Sequence, residues 1–323
     1  MSFTPTRRVF ASSLIALAAS GALAQSGYPN KPIRIVVPFG PGSGTDVVAR
    51  IIAEELQGEL GQTVIVENKP GANGTIAADL VAKAPADGYT LVMGGSSTHS
   101  SAPSLFKNLP YDPVTDFTMV GNTVETQFAL VVRAESPAQS LKELTALLQA
   151  KAGKGTFGFG SATTQIAGAA LMKRLNLNVT PVPYKSNPLA ITDLIGGQFD
   201  FMFLDLTTAM PQIRGGRVRA LAVAAPARVS ELPQVPVFAE IGVPNFTLYS
   251  WLGIMGPKGL PEPVADRLAN AMTKIMNKQT VKDRLAPTGK PIPPVARSTY
   301  PAYLREQRDG WAGKIKDAGI QPE

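Results

Sequence analysis

Twice in this chain an apolar strand-like run gives way to a loop of glycines and hydroxyls, and the loop opens a helix. The first loop is Phe39-Gly40-Pro41-Gly42-Ser43-Gly44-Thr45-Asp46, after the apolar run 33–38. The second is Gly158-Phe159-Gly160-Ser161-Ala162-Thr163-Thr164-Gln165, after the short pair Thr156-Phe157. A helix start leaves backbone N–H groups without partners and carries partial positive charge. Glycine lets a ligand come close to that backbone. Two such loops on two domains make a two-sided clamp for a small anion. Neither loop contains Lys or Arg, so the expected clamp is neutral, built from peptide dipoles and hydroxyls.

The periodicity around the loops predicts an α/β chain. Strand patterns at 33–37, 63–66 and 90–93 alternate with helical patterns at 46–60 and 76–83. That rhythm calls for a mostly parallel sheet with helices on both faces. Thr45 or Asp46 is placed to cap the first helix. The segment 94–116 reads as irregular and polar, with Pro103, Pro110 and Pro113. Two strands are expected at 117–124 and 127–132, the second crossing into another domain. The pattern then repeats: a helix after the capping box Ser140-Leu141-Lys142-Glu143, the second loop and its helix, strands at 179–184, 199–204 and 218–223, and a helix from Asn187-Pro188. The proline-studded stretch 226–244 is expected on the surface. A strand at 248–255 returns to the first domain, and helices follow at 261–276, 280–285 and 298–317. The expected organisation is a leader at 1–24, domain one at 25–127 and 251–323, and domain two at 128–250. Two crossings between domains permit hinge closure over a cleft.

Arg7-Arg8, the uncharged apolar stretch 9–24 and Ala22-Leu23-Ala24 have the form of a secretory signal. The run is short for a membrane span. The pair of arginines is compatible with either the Sec or the twin-arginine route. The chain of 323 residues contains no cysteine, which excludes disulfides, thiol catalysis and cysteine zinc sites. A net charge of +7 either attracts acidic solutes or simply keeps the protein in solution. Lys and Arg are scattered rather than clustered with aromatics, so no nucleic-acid partner is expected. One His and dispersed carboxylates make no metal constellation, and no cofactor is expected.

A series of segments carries a resemblance to a known family. It runs through Tyr28-Pro29-Asn30-Lys31-Pro32-Ile33-Arg34, 36–46, Val66-Glu67-Asn68-Lys69-Pro70-Gly71-Ala72-Asn73-Gly74, 86–91 and Leu109-Pro110-Tyr111-Asp112-Pro113. It continues in Val182-Pro183-Tyr184-Lys185, 219–223 and Leu232-Pro233-Gln234-Val235-Pro236. Together these resemble the Bug family, the extracytoplasmic substrate-binding receptors of tripartite tricarboxylate transporters. The resemblance implies a two-domain periplasmic binding-protein fold, a cleft holding a small carboxylate, and membrane permease subunits as partners. It also implies that one loop per domain holds the carboxylate, at 39–46 and 158–165. Family members often have consecutive glycines where Gly42-Ser43-Gly44 stands, and a His where Gln165 stands.

The candidate ligand contacts are Phe39, Gly40, Gly42, Ser43, Gly44, Thr45 and Asp46 in the first loop. Gly160, Ser161, Ala162, Thr163 and Thr164 supply the second. Ser96, Thr98 and His99 follow the third strand, and Tyr184 and Asp205 end strands of domain two, where ligands of open α/β sheets bind. Phe39 serves as a wall or as core. Asp46 caps its helix or receives a ligand amine. His99, the single histidine, is a structural hydrogen-bonder or a contact. Two enzyme readings compete with a monomeric, non-enzymatic binder. A Rossmann-like start lacks the glycine at position 45 that G-x-G-x-x-G requires. A serine hydrolase would have to rely on His99 and lacks G-x-S-x-G.

Overall fold

The apolar run at the start of the chain forms β1 (Ile33–Val37), buried along nearly its whole length. A strand covered on both faces has no need of polar alternation. β1 leads into α1 (Gly44–Leu60), then β2 (Val64–Asn68), α2 (Thr75–Ala82) and β3 (Thr90–Gly95). β2 and β3 flank β1, both parallel to it. α1 turns Val48, Ile52 and Leu56 onto the sheet and stops at Gly61, whose positive φ of 70° closes the last turn. The computed structural model describes residues 27–323, and the expected leader at 1–24 lies outside the described residues.

The stretch expected to be irregular contains a wide helical turn, Ser96–Ser101, and a short α3 (Ala102–Leu105). All six residues of the turn are buried. Its polarity suggested a loop, but most of its hydroxyls find partners inside the protein. Ser96 Oγ accepts from the Trp251 backbone N–H at 3.1 Å, and Ser100 Oγ from the Trp251 indole at 3.0 Å.

β4 (Phe117–Arg133) is one strand of 17 residues where two were expected. Its polar middle, Asn122 to Gln127, looked like a break. Instead two register shifts against β9 absorb the irregularity without ending the pairing. The second lobe then builds α4 (Leu141–Ala150), β5 (Gly155–Phe159), α5 (Ala162–Arg174), β6 (Val179–Pro183), α6 (Asn187–Ile195), β7 (Phe201–Asp205), α7 (Leu206–Arg214) and β8 (Val218–Val223). β6 and β7 flank β5 in parallel, as β2 and β3 flank β1. The stretch 226–244 does more than cover the surface. Phe238 is fully buried and packs on Phe203 and Phe246, with ring centroids 5.9 and 4.5 Å away.

β9 (Tyr249–Pro257) carries the chain back, antiparallel to both β4 and β3. α8 (Glu262–Asn277), α9 (Gln279–Leu285), a two-residue β10 (Lys290–Pro291) on β4, and α10 (Tyr300–Ala318) complete the fold. The sheet order is β2-β1-β3-β9-β4-β7-β5-β6, with β8 and β10 as further partners of β4. β4 and β9 are thus the two strands that join the lobes. α10 belongs to both: Tyr300 and Leu304 enter a core cluster of the first lobe, and Trp311, Ile315 and Ala318 enter one of the second. Among the described residues no helix is long and apolar enough to cross a membrane.

Candidate functional site

Most loops at the site begin where a parallel strand ends, the turn that carries Thr288 being the exception. In the first lobe Gly42 takes a positive φ of 78°, which turns the chain so that Ser43 enters extended at φ −69°, ψ 155°. Ser43, rather than Thr45 or Asp46, is therefore the N-cap, its Oγ accepting from the Asp46 N–H at 3.3 Å. The helix starts two residues earlier than expected, at Gly44. Gly44 and Thr45 occupy its first two positions, where N–H groups lack helical acceptors.

Asp46 does not face the cavity. Its carboxylate accepts from the Gly42 N–H at 3.0 Å, Arg50 Nε at 3.0 Å and Asn68 Nδ2 at 2.8 Å. Burial alone would raise this carboxyl. The bonds from Arg50, Gly42 and Asn68, with the Arg50 charge, outweigh burial and hold it below the usual range. A carboxyl lowered by folding stabilises the fold above its unfolded pKa, and that contribution is lost as pH falls through the folded value. Asp46→Asn is accordingly expected to lower the melting temperature at neutral pH and to flatten its decline below about pH 4. Parallel acid limbs in the two proteins would contradict this.

In the second lobe Ser161 is the N-cap of α5. Its Oγ accepts from the Thr164 N–H at 3.3 Å, and Thr164 Oγ1 accepts from the Ser161 N–H at 3.3 Å. This reciprocal pair satisfies two helix-start donors and takes Thr164 out of the cavity. Thr163 points the other way. Its Oγ1 lies 3.2 Å from Ser97 Oγ of the first lobe, and its N–H donates to the same oxygen at 3.4 Å. Asn73 Nδ2 also donates across the lobes, to Gln165 Oε1 at 3.3 Å. The lobes are closed on one another.

Between them lies a cavity of about 40 Å³. Of the candidate residues, Phe39, Ser43, Gly44, Thr45, Ser96, Thr98, Gly160, Ser161, Thr163 and Asp205 line it. Gly40, Gly42, Asp46, His99, Ala162, Thr164 and Tyr184 do not. Gly42 and Ala162 support the two turns. Gly40 packs so near Ser186 that a Cβ would lie 2.8 Å from its Oγ. Tyr184 donates to Asp193 Oδ2 at 2.8 Å, which fixes it to α6. His99 sits behind Thr98, its Nδ1 2.8 Å from Thr98 Oγ1 and its ring edge-on to Phe117 at 4.5 Å. Burial without a charged partner pushes its pKa down to about 3, so it is neutral.

Sequence reasoning missed Ser97, Thr126, Asn187, Thr207, Ser250 and Thr288, which also border the cavity. Asn187 and Thr207 begin α6 and α7, two further helices that start at ends of parallel strands. The strand-end rule that found the first two loops extends to them. Ser250 and Thr126 stand on the crossing strands, and no local pattern marks them. Asn187 Oδ1 accepts from the Gly160 N–H at 3.0 Å, so it holds the second loop in place.

The lining is thus a ring of hydroxyls, amide groups and helix starts contributed by both lobes, walled by Phe39, Val48, Met93 and Phe128. Such a surface suits a small polar or anionic guest. Comparisons with known proteins point the same way. Residues 48–319 match the model of the tripartite tricarboxylate transporter family receptor. A UPF0065 protein of Bordetella bronchiseptica is 37% identical over 311 residues, covering 96% of this chain and 92% of its own. The solved periplasmic binding protein BugD superposes with a TM-score of 0.87 at 35% identity, over 92% of this chain and all of its own. MatC from Rhodopseudomonas palustris, solved with bound malate, gives 0.83 at 32% identity, over 89% of this chain and all of its own.

Proposed function

The chain belongs to the tripartite tricarboxylate transporter receptor family, and from that premise we propose that it is an exported, monomeric receptor that captures a small organic carboxylate and hands it to membrane permease subunits. Its first lobe, 25–127 with 251–323, and its second, 128–250, close over the solute. Ser43, Gly44 and Thr45 grip one side of the carboxylate, and Ser161 and Thr163 the other. The work is binding and closure rather than catalysis. A solute that touches both lobes stabilises the closed state by its differential affinity.

The observation that carries this reading is the meeting of two helix starts from opposite lobes at one cavity, with Ser97 and Thr163 in contact across it. Malate bound to a relative that superposes over nearly the whole chain supports the solute class. Native mass spectrometry of freshly purified protein, followed by a thermal-shift panel, tests it. Small carboxylates are expected to raise the melting temperature and nucleotides to leave it unchanged. Stabilisation by nucleotides alone would replace this reading with the nucleotide-enzyme one. Ester turnover lost in His99→Ala would favour a hydrolase.

A further inference from the structure

One acidic side chain borders the cavity. Asp205 ends β7 and is 6% exposed, whereas among the described residues no Lys, Arg or His reaches the cavity wall. Its Oδ1 accepts from the Thr208 N–H and Thr208 Oγ1, both at 2.9 Å. Its Oδ2 has Thr208 Oγ1 at 3.0 Å and Asn187 Nδ2 at 3.4 Å. All these donors are neutral. A buried carboxylate costs free energy unless a positive charge faces it.

Asp205 also stands next to the first-lobe grip. A Cβ built on Gly44 would lie 2.4 Å from Asp205 Oδ1. A guest carboxylate at the start of α1 therefore has this side chain as its close neighbour. A dianion would bring two negative charges beside this acid, in a space where none of the described residues supplies a cation. A zwitterion resolves the conflict, with its carboxylate on the helix starts and its ammonium on Asp205.

We propose that Asp205 receives the positively charged nitrogen of the solute, so that the preferred guest is a small amino acid. This inference rests on reading the cleft as a carboxylate site. Asp46, the other acid of the site region, cannot take this part, because it does not line the cavity and already pairs with the Arg50 guanidinium. Burial pushes the Asp205 carboxyl up from its ordinary range, and a bound ammonium is the partner that returns the charge to it.

The test is calorimetry on three matched pairs: L-alanine and propionate, L-aspartate and succinate, L-glutamate and glutarate. In at least one pair the amine-bearing member is expected to bind about tenfold tighter or more. Asp205→Asn and Asp205→Ser both retain a helix-capping side chain. Each is expected to erase that preference, with the amine-bearing member losing about 30-fold or more. Equal binding within every pair would overturn the inference and leave the carboxylate reading standing. So would equal losses for both members in the two variants, which would leave Asp205 only its capping role. If no member of any pair binds, both readings fall together.

Discussion

Gly44→Ala is expected to weaken solute binding by roughly ten- to a hundredfold while the protein stays folded. Alanine is welcome at the first position of a helix, and Gly44 does not occupy the left-handed region. The nearest neighbours of the new methyl group lie across the cleft, 2.4 Å away at Asp205 Oδ1 and 3.4 Å away at Thr207 Cβ. Asp205 cannot swing away freely, because Thr208 and Asn187 hold it. The penalty therefore lands on the closed state and spares each lobe. Small-angle scattering should show a larger radius of gyration for the variant, and calorimetry the lost affinity. Gly58→Ala, on an open face of the same helix with nothing within 4 Å of the new Cβ, serves as the control. Wild-type affinity together with wild-type compactness in Gly44→Ala would show that closure does not bring these two residues together.

Acid should weaken the fold well above the carboxylate range, and His99→Gln should remove much of that sensitivity. His99 is the single histidine in the chain and is fully buried. Its pKa is about 3 when folded, against an ordinary value of about 6.5 when unfolded. The native state thus binds fewer protons than the unfolded state between those values. Stability from this group is complete above pH 6.5 and drains away as pH falls, at about 1.4 kcal/mol per pH unit. Asp205, raised by burial, works in the opposite direction. The difference between wild type and His99→Gln isolates the histidine. Denaturant unfolding at pH 6.5, 5.5 and 4.5 should show the wild type losing stability faster than the variant. Identical slopes would mean that the imidazole finds a proton and a partner inside the native protein.

The fold was legible because its signals are local. The largely apolar run 33–37, the cap at Ser140 and the glycine after α1 each state what the nearby backbone does. The site was legible where it uses the same signals, at the helix starts 43–45 and 160–163. Elsewhere pairing with distant chain hid it. Polar residues in the middle of β4 read as a break because the bulges that accommodate them depend on β9, more than 100 residues away. The Ser96–Ser101 turn read as loop because the partners of Ser96 and Ser100 lie on Trp251, about 150 residues along the chain. Asp46 and Asp205 show the limit most clearly. Both are acids close to a helix start, and sequence alone offered Asp46 for a ligand amine. Arg50 and Asn68 settle its orientation, and the packing of one lobe on the other brings Asp205 beside Gly44.

The last helix bears on how far this molecule can gape. α10 is anchored in one core by Tyr300 and Leu304 and in the other by Trp311 and Ile315. A stiff rod seated at both ends acts as a tether, so any parting of the lobes is expected to be a modest swing. A narrow swing leaves little loose chain to be frozen when the jaws shut. The entropic toll of seizing a guest is correspondingly small, and even a compact solute with few contacts can hold the shut form.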